Sequence, residues 1–210
     1  MHLIVGLGNP GAQYAKNRHN IGFMMIDELI RGTTFGPEKK QFDGMTSEGT
    51  IQTAKGVEKI LALKPQTYMN NSGLSVAKAL QFYKLKPEQI IVFHDELDLA
   101  PGRLRMKMGG GHAGHNGLRS IMAHIGPNFM RARMGVGHPG AKELVLNWVL
   151  ADFGKSDQPW LTALNDACVS SLPMLFSGQP DAADRYQAEV MRLAPAPKFD
   201  ARQLANSKDA

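Results

Sequence analysis

Among its 210 residues the chain has one cysteine, Cys168, and two tryptophans. No apolar run reaches the about 18 residues that a membrane-crossing helix needs, so such a helix is excluded. A lone cysteine forms no intramolecular disulfide and cannot build a cysteine-rich zinc site. Its place in an apolar-periodic stretch predicts a buried core thiol. The start, Met1-His2-Leu3-Ile4-Val5, lacks both a basic leader and a small-residue cleavage site. No signal peptide is therefore expected, and the expected compartment is the cytoplasm. Acid is missing locally as well. From Leu99 to Lys142 there is no Asp or Glu, while Arg103, Arg105, Lys107, Arg119, Arg131, Arg133 and Lys142 all fall in that span, with His112, His115, His124 and His138. The span thus carries +7 against a net charge of +5, which leaves −2 for the rest. A positive field gathered in one segment suits a polyanionic partner, nucleic acid above all.

A chain of 210 residues with 43% hydrophobic content can bury the core of one large domain. Apolar and polar runs alternate in an α/β manner. Leu3 to Leu7 reads as a buried strand. Ile21 to Ile30 reads as a helix with Ile21, Met24, Met25 and Leu29 on its apolar face. Residues 44–53 and 57–64 pair as a hairpin across Lys55-Gly56. Ser72 is placed to cap a helix to about Tyr83, with Leu74, Ala77, Leu80 and Phe82 available for packing. Gln89 to Phe93 is a short apolar strand. Arg103 to Met108 alternates, with Arg103, Arg105 and Lys107 on one side and Leu104, Met106 and Met108 on the other. Asn116 is placed to cap a helix to about Ile125. Met130 to Val136 is a further strand, Leu144 to Leu150 a short apolar element, and a long helix is expected from about Asp157 to Phe176. The expected fold is a single α/β domain over residues 1–193, a twisted mixed, mostly parallel sheet flanked by helices. Residues 194–210, with Pro195, Pro197 and small polar residues, are expected to form a poorly ordered tail.

Gly6-Leu7-Gly8-Asn9-Pro10-Gly11 matches the dinucleotide fingerprint G-x-G-x-x-G after a strand. The rest of that unit is missing. Pro10-Gly11 prolongs the loop where a helix should begin, and the acidic pair Asp27-Glu28, about 20 residues on, falls inside the first helix. The other reading is that the glycines let the backbone carrying Asn9 come close to a ligand. His112-Ala113-Gly114-His115 offers a metal-ligand pair, with Asp95 or Asp98 as a third group, but the spacing is a poor one.

Four stretches stand at expected strand ends or helix starts, where α/β sheets bind ligands. They are Gly8-Asn9-Pro10-Gly11 with Arg18-His19-Asn20, then Thr67-Tyr68-Met69-Asn70-Asn71-Ser72-Gly73, then His94-Asp95-Glu96-Leu97-Asp98, and last Gly109-Gly110-Gly111-His112-Ala113-Gly114-His115-Asn116-Gly117. As a set and in this order they resemble the bacterial class of peptidyl-tRNA hydrolases. The likeness runs from the first strand to about Gly140 and more weakly through the long helix, and the segment beyond Arg192 is extended relative to a minimal member. The resemblance implies a monomeric α/β domain. It also implies hydrolysis of the ester between a peptide and the 3′-terminal ribose of tRNA, which recycles tRNA from stalled or aborted translation with neither metal nor cofactor. It makes His19 the catalytic base and Asp95 the carboxylate that holds it. Asn9, Asn70 and Asn116, with Tyr14, become substrate-binding residues, Met69 lines the peptide groove, and His115 belongs to the rim. Lys107 and Arg133 match positions that contact tRNA phosphates, while Arg103, Arg105, Arg131 and Lys142 join them on charge alone.

The residue types suit that chemistry. An ester needs a water, a base near neutral pH and donors for the oxyanion. Amide side chains donate and accept as a peptide does, so they can hold a backbone without reading its side chains. Phosphate contacts position a tRNA without reading its sequence. The competing readings are a dinucleotide-dependent oxidoreductase, from the glycine motif, and a non-catalytic RNA-binding module, from the acid-free span.

Overall fold

The computed structural model describes residues 1–32 and 34–198. Its strands are β1 (His2–Gly6), β2 (Lys39–Gln41), β3 (Gly44–Thr53), β4 (Gly56–Pro65), β5 (Ile90–Glu96), β6 (Leu104–Met108) and β7 (Met130–Gly135). They form one sheet in the order β2-β3-β4-β1-β5-β7-β6. The central strands β4, β1, β5 and β7 run parallel. Antiparallel neighbours join at both edges, β3 on β4 and β6 on β7. The mixed sheet of the sequence reading is therefore parallel in its middle, where both faces are covered.

The helices are α1 (Ile21–Ile30), α2 (Ser72–Tyr83), α3 (Asn116–Ile125), α4 (Val145–Val149), α5 (Gln158–Ser171) and α6 (Ala182–Leu193). Alternation along the central strands sends Leu3, Val5, Ile90 and Val92 to one face, under α2 and α3, and Ile4, Ile91 and Phe93 to the other, under α1, α5 and α6. Cys168 lies in the second of these cores, fully buried, and burial pushes its thiol up to about 12. The single long helix expected to Phe176 is interrupted. After α5 the chain tightens into a 3-10 turn over Leu172–Phe176, where Pro173 offers no N–H to continue the α-helical ladder. The sequence reading assigned α6 no element.

Three further expectations are corrected. Helix α2 buries Gly73, Val76 and Ala79 and leaves Leu74 and Phe82 exposed. Its rotation is fixed at Gly73, whose N–H donates to Ser120 Oγ at 2.9 Å and whose missing Cβ would stand 2.2 Å from the Ser120 carbonyl oxygen. Ser72 does not cap it, since its hydroxyl donates to the Met69 carbonyl. On β6, Leu104 is buried, but Met108 at the strand end is half exposed.

The glycines after β1 serve packing. A Cβ on Gly6 would meet the Gly22 carbonyl oxygen at 2.1 Å, and one on Gly8 would meet the Phe23 ring at 2.6 Å. They let α1 lie against the strand end. The loop leads into a 3-10 turn at Ala12–Tyr14 rather than a long helix, so the dinucleotide architecture is absent. Of the expected tail, Ala194 is buried, and Pro197 rests over Gly102, where a Cβ would come within 2.8 Å of its ring. Residues 199–210 lie outside the described residues.

Candidate active site

Strand β5 runs three residues further than its apolar run suggests and places His94, Asp95 and Glu96 on the strand, all buried. Asp95 is 4% exposed. Its Oδ1 lies 2.8 Å from His19 Nδ1 and 2.9 Å from His115 Nε2. The tautomers follow from the remaining bonds. His115, not Asn116, caps α3: its Nδ1 accepts from the N–H groups of Gly117 at 3.1 Å and Leu118 at 3.3 Å. An accepting Nδ1 leaves the ring proton on Nε2, which donates to Asp95. His19 likewise donates Nδ1–H to the carboxylate, which turns its Nε2 lone pair away from Asp95, as a base requires.

The electrostatics agree. Burial favours a protonated Asp95, yet His19 and His115 outweigh it and hold the carboxyl well below the usual carboxylate range. Burial also pulls His19 down, but the charge of Asp95 and the hydrogen bond to it outweigh that, and the net shift is upward from 6.5. His94 is buried and makes no ion pair among the described residues, and the nearby charge of Asp95 only partly offsets its burial. Desolvation, then the neighbouring His115, push it down to about 3. Its Nδ1 donates to the Asp95 carbonyl at 2.8 Å, which leaves Nε2 buried and unpaired.

A cavity of about 490 Å³ opens over this cluster. His19, Asp95, His115 and Asn116 line its polar side, and Leu97, Leu118, Val145, Leu146 and Val149 its apolar side. Asn116 begins α3 with its amide free of any hydrogen bond in the described structure, so it is presented to the cavity. Asn9 does not line it. Its Oδ1 accepts from Met69 N–H at 2.8 Å, and its Nδ2 makes no hydrogen bond in the described structure. Buried Asn20, which the sequence did not single out beyond its place in a block, clamps Asn9 to the His19 turn. It accepts from Asn9 N–H and donates to Asn9 O, both at 2.9 Å. Met69 is buried, its sulfur facing Gly117. Asn70 is exposed on the adjoining turn, and Tyr14 is half-buried in the Ala12–Tyr14 turn. Neither lines the cavity.

The basic residues divide by environment. Arg105 and Lys107 on the edge strand β6, and Arg103 just before it, are exposed. Arg105 sits directly opposite Arg133, whose Nε donates to Glu96 at 2.8 Å and whose other guanidinium nitrogens make no hydrogen bond in the described structure. Lys142 lines the cavity. Arg131 is the correction. It is 3% exposed, lies over the Phe129 ring and donates to the Gly110 and Gly111 carbonyls, so it holds the glycine loop rather than a phosphate.

His19, Asp95 and His115 also place ligand atoms within 4.8 Å of one another, as a cation site does. His112, the other half of the H-x-x-H pair, instead accepts from Gly114 N–H at 3.1 Å.

Comparison with known proteins places this geometry among relatives. A family profile described as peptidyl-tRNA hydrolase matches residues 3–194. A peptidyl-tRNA hydrolase of Hyphomonas neptunium is 54% identical over 210 residues, covering 100% of both chains. One of Caulobacter vibrioides is 51% identical over 205 residues, 98% of each. The crystal structure of a peptidyl-tRNA hydrolase in complex with N-propanol superposes with a TM-score of 0.83 at 42% identity, covering 93% of this chain and 97% of that one. The Acinetobacter baumannii peptidyl-tRNA hydrolase does so at 0.82 and 44%, covering 90% and 95%.

Proposed function

The chain belongs to the peptidyl-tRNA hydrolase family, and from that premise we propose that it hydrolyses the ester between a peptide and the 3′-terminal ribose of tRNA, releasing free tRNA, with His19 as general base. The observation that carries the base assignment is the Asp95 oxygen bonded to His19 Nδ1, which leaves His19 Nε2 as the lone pair on the cavity side. Nε2 takes a proton from water as the water oxygen bonds to the ester carbon. Asp95 stabilises the imidazolium so formed, and the proton then passes to the departing ribose oxygen as the ester bond breaks. The Asn116 amide faces the same cavity and can donate to the substrate carbonyl.

The reaction needs no metal in this reading. A cation on His115 Nε2 would require that ring to carry its proton on Nδ1, where two backbone N–H groups already point. The tRNA lies along the edge strand, its phosphates on Lys107, Arg103, Arg105 and the outward nitrogens of Arg133. The enzyme acts as a monomer in the cytoplasm. No helix among the described residues is long and apolar enough to cross a membrane.

One assay tests this. Peptide release from a peptidyl-tRNA is followed with and without a chelator, for the wild type and His19→Ala. Expected are full wild-type activity and a loss on the order of 10²–10⁴-fold in the variant. No release by the wild type in either condition overturns the activity. Chelator-sensitive release overturns metal independence, and an unimpaired variant overturns the base.

A further inference from the structure

Arg18 precedes His19 and takes no part in the proton chemistry, yet its charged side chain is only 12% exposed. Its guanidinium carbon lies 3.9 Å from the centroid of Trp148 in α4. Nη1 donates to the carbonyls of Asp152 at 3.1 Å and Ala151 at 3.4 Å, and Nη2 lies 3.6 Å from Asp157 Oδ2. The backbone is stitched at the same place. Arg18 N–H donates to Ala151 O at 3.0 Å, Phe153 N–H to Lys16 O at 2.9 Å, and Asn17 Nδ2 to Asp152 Oδ1 at 2.8 Å. The turn that carries His19 is thus zipped to the chain leaving α4.

Helix α4 has five residues, of which only Val149 is buried. A helix that short does not hold itself in water. Its packing onto the body runs through the Arg18–Asn20 turn, and Trp148 also donates to Gly137 O at 2.9 Å. Yet Val145, Leu146 and Val149 form the apolar wall of the cleft that faces His19.

We propose that Arg18 is a positioning residue for the substrate: by clasping Trp148 and the segment 151–153, it fixes the distance between the apolar α4 wall and the His19 base one residue away, and so sets how the peptidyl group is held. The inference rests on the esterase reading. Apolar side chains facing a polar, water-activating edge suit the acyl part of the substrate, while the phosphate-binding side chains lie on β6 and β7. The clasp therefore governs binding of the peptidyl end without touching proton transfer.

The test uses the full chain with an N-acyl-aminoacyl-tRNA substrate. Arg18→Met keeps the aliphatic stem and removes every guanidinium contact. It raises KM by on the order of ten- to a hundredfold. Within experimental error, kcat and the acid limb of the pH profile stay in place, the pattern of lost uniform binding. Arg18→Lys, which restores a cation over the ring without the paired carbonyl bonds, falls between. In a Trp160→Phe background Trp148 is the sole tryptophan, and acrylamide quenches it more readily once Arg18 is replaced. Arg18→Met combined with Trp148→Leu is no worse than the poorer single variant. A fall in kcat with a displaced pH profile, additive single effects, or unchanged KM and quenching overturns the proposal. Should Arg18→Met not fold, Trp148→Leu alone must raise KM, and an unchanged KM there overturns it equally. An inactive wild type counts against the esterase reading, and the quenching comparison still decides the clasp.

Discussion

His115 Nε2 and Asp95 Oδ1 are 2.9 Å apart, and the oxygen is the one His19 also reaches. One carboxylate oxygen therefore organises two rings, of which only His19 is free to take up a proton at its far nitrogen. His115→Asn separates the two tasks of that residue. Asparagine can still cap α3 but cannot reach Asp95 as an imidazole does. Melting temperature is expected to stay near that of the wild type while kcat falls. His115→Ala loses both, with about 1 kcal/mol of stability from the missing cap. Thermal melts alongside single-turnover rates check the split.

Asp95→Asn removes the charge that lifts the His19 pKa above 6.5 and leaves the burial that lowers it. With His19 as the proposed base, activity rises with pH through that pKa. In the variant the acid limb of kcat/KM is expected to move to lower pH, with kcat reduced more than substrate binding. A limb that stays in place would show that Asp95 does not tune the base.

His94 gives the fold a pH slope. Folded, it remains neutral down to about 3; unfolded, it takes a proton near 6.5. Between those values the unfolded chain binds more protons, so this stability is fully present above 6.5 and is lost as pH falls toward 3. Asp95 adds loss in the same direction in a lower window, beginning as pH drops through 3.8. Between pH 6.5 and about 4.5, His94 accounts for roughly 2–3 kcal/mol at 1.36 kcal/mol per unit. His94→Phe is expected to flatten urea-unfolding free energies across that interval. An unchanged slope would place the proton uptake elsewhere.

Lys107 and Arg131 pair across β6 and β7 but differ in what they face. Lys107→Gln is expected to reduce the salt slope of tRNA binding by roughly one and leave stability intact. Arg131→Gln is expected to destabilise by about 1–3 kcal/mol, since the Gly110 and Gly111 carbonyls lose their donor. Binding titrations across a salt series and denaturant melts distinguish them.

Gly22→Ala tests the seam between α1 and the sheet. The new Cβ would stand 2.3 Å from the Phe93 carbonyl oxygen and 2.4 Å from Leu7 N, backbone atoms with no room to yield. A loss of roughly 1–3 kcal/mol or more is expected, read as an earlier denaturant midpoint.

Local pattern carried much of this in the sequence. The bounds of α1 and the β3–β4 hairpin follow from periodicity and a turn, and three of the four blocks bring His19, Asp95, His115 and Asn116 to one cavity. Burial and long-range pairing are not written locally. Arg131 and Arg133 are alike in sequence, and only the sheet shows one under the glycine loop and the other on Glu96. Asn20 is a commonplace asparagine until Asn9 lies opposite, and Arg18 contacts residues 130 or more positions away. The rotation of α2 came from one close approach at Gly73, which no hydrophobic count registers.

Strand β7 pairs Arg133 with His94 on one side and Arg105 on the other, while Arg131, two residues back, holds the loop that leads to His115. A slip of one residue would turn every side chain of the strand to the opposite face. The proposed polyanion contact at Arg133 and the hold of Arg131 on the glycine loop are therefore inherited together from a single alignment of backbone. Neither can drift or be engineered by re-registering this strand without dragging the other along, so any retuning of substrate grip must come through side-chain replacement at fixed register.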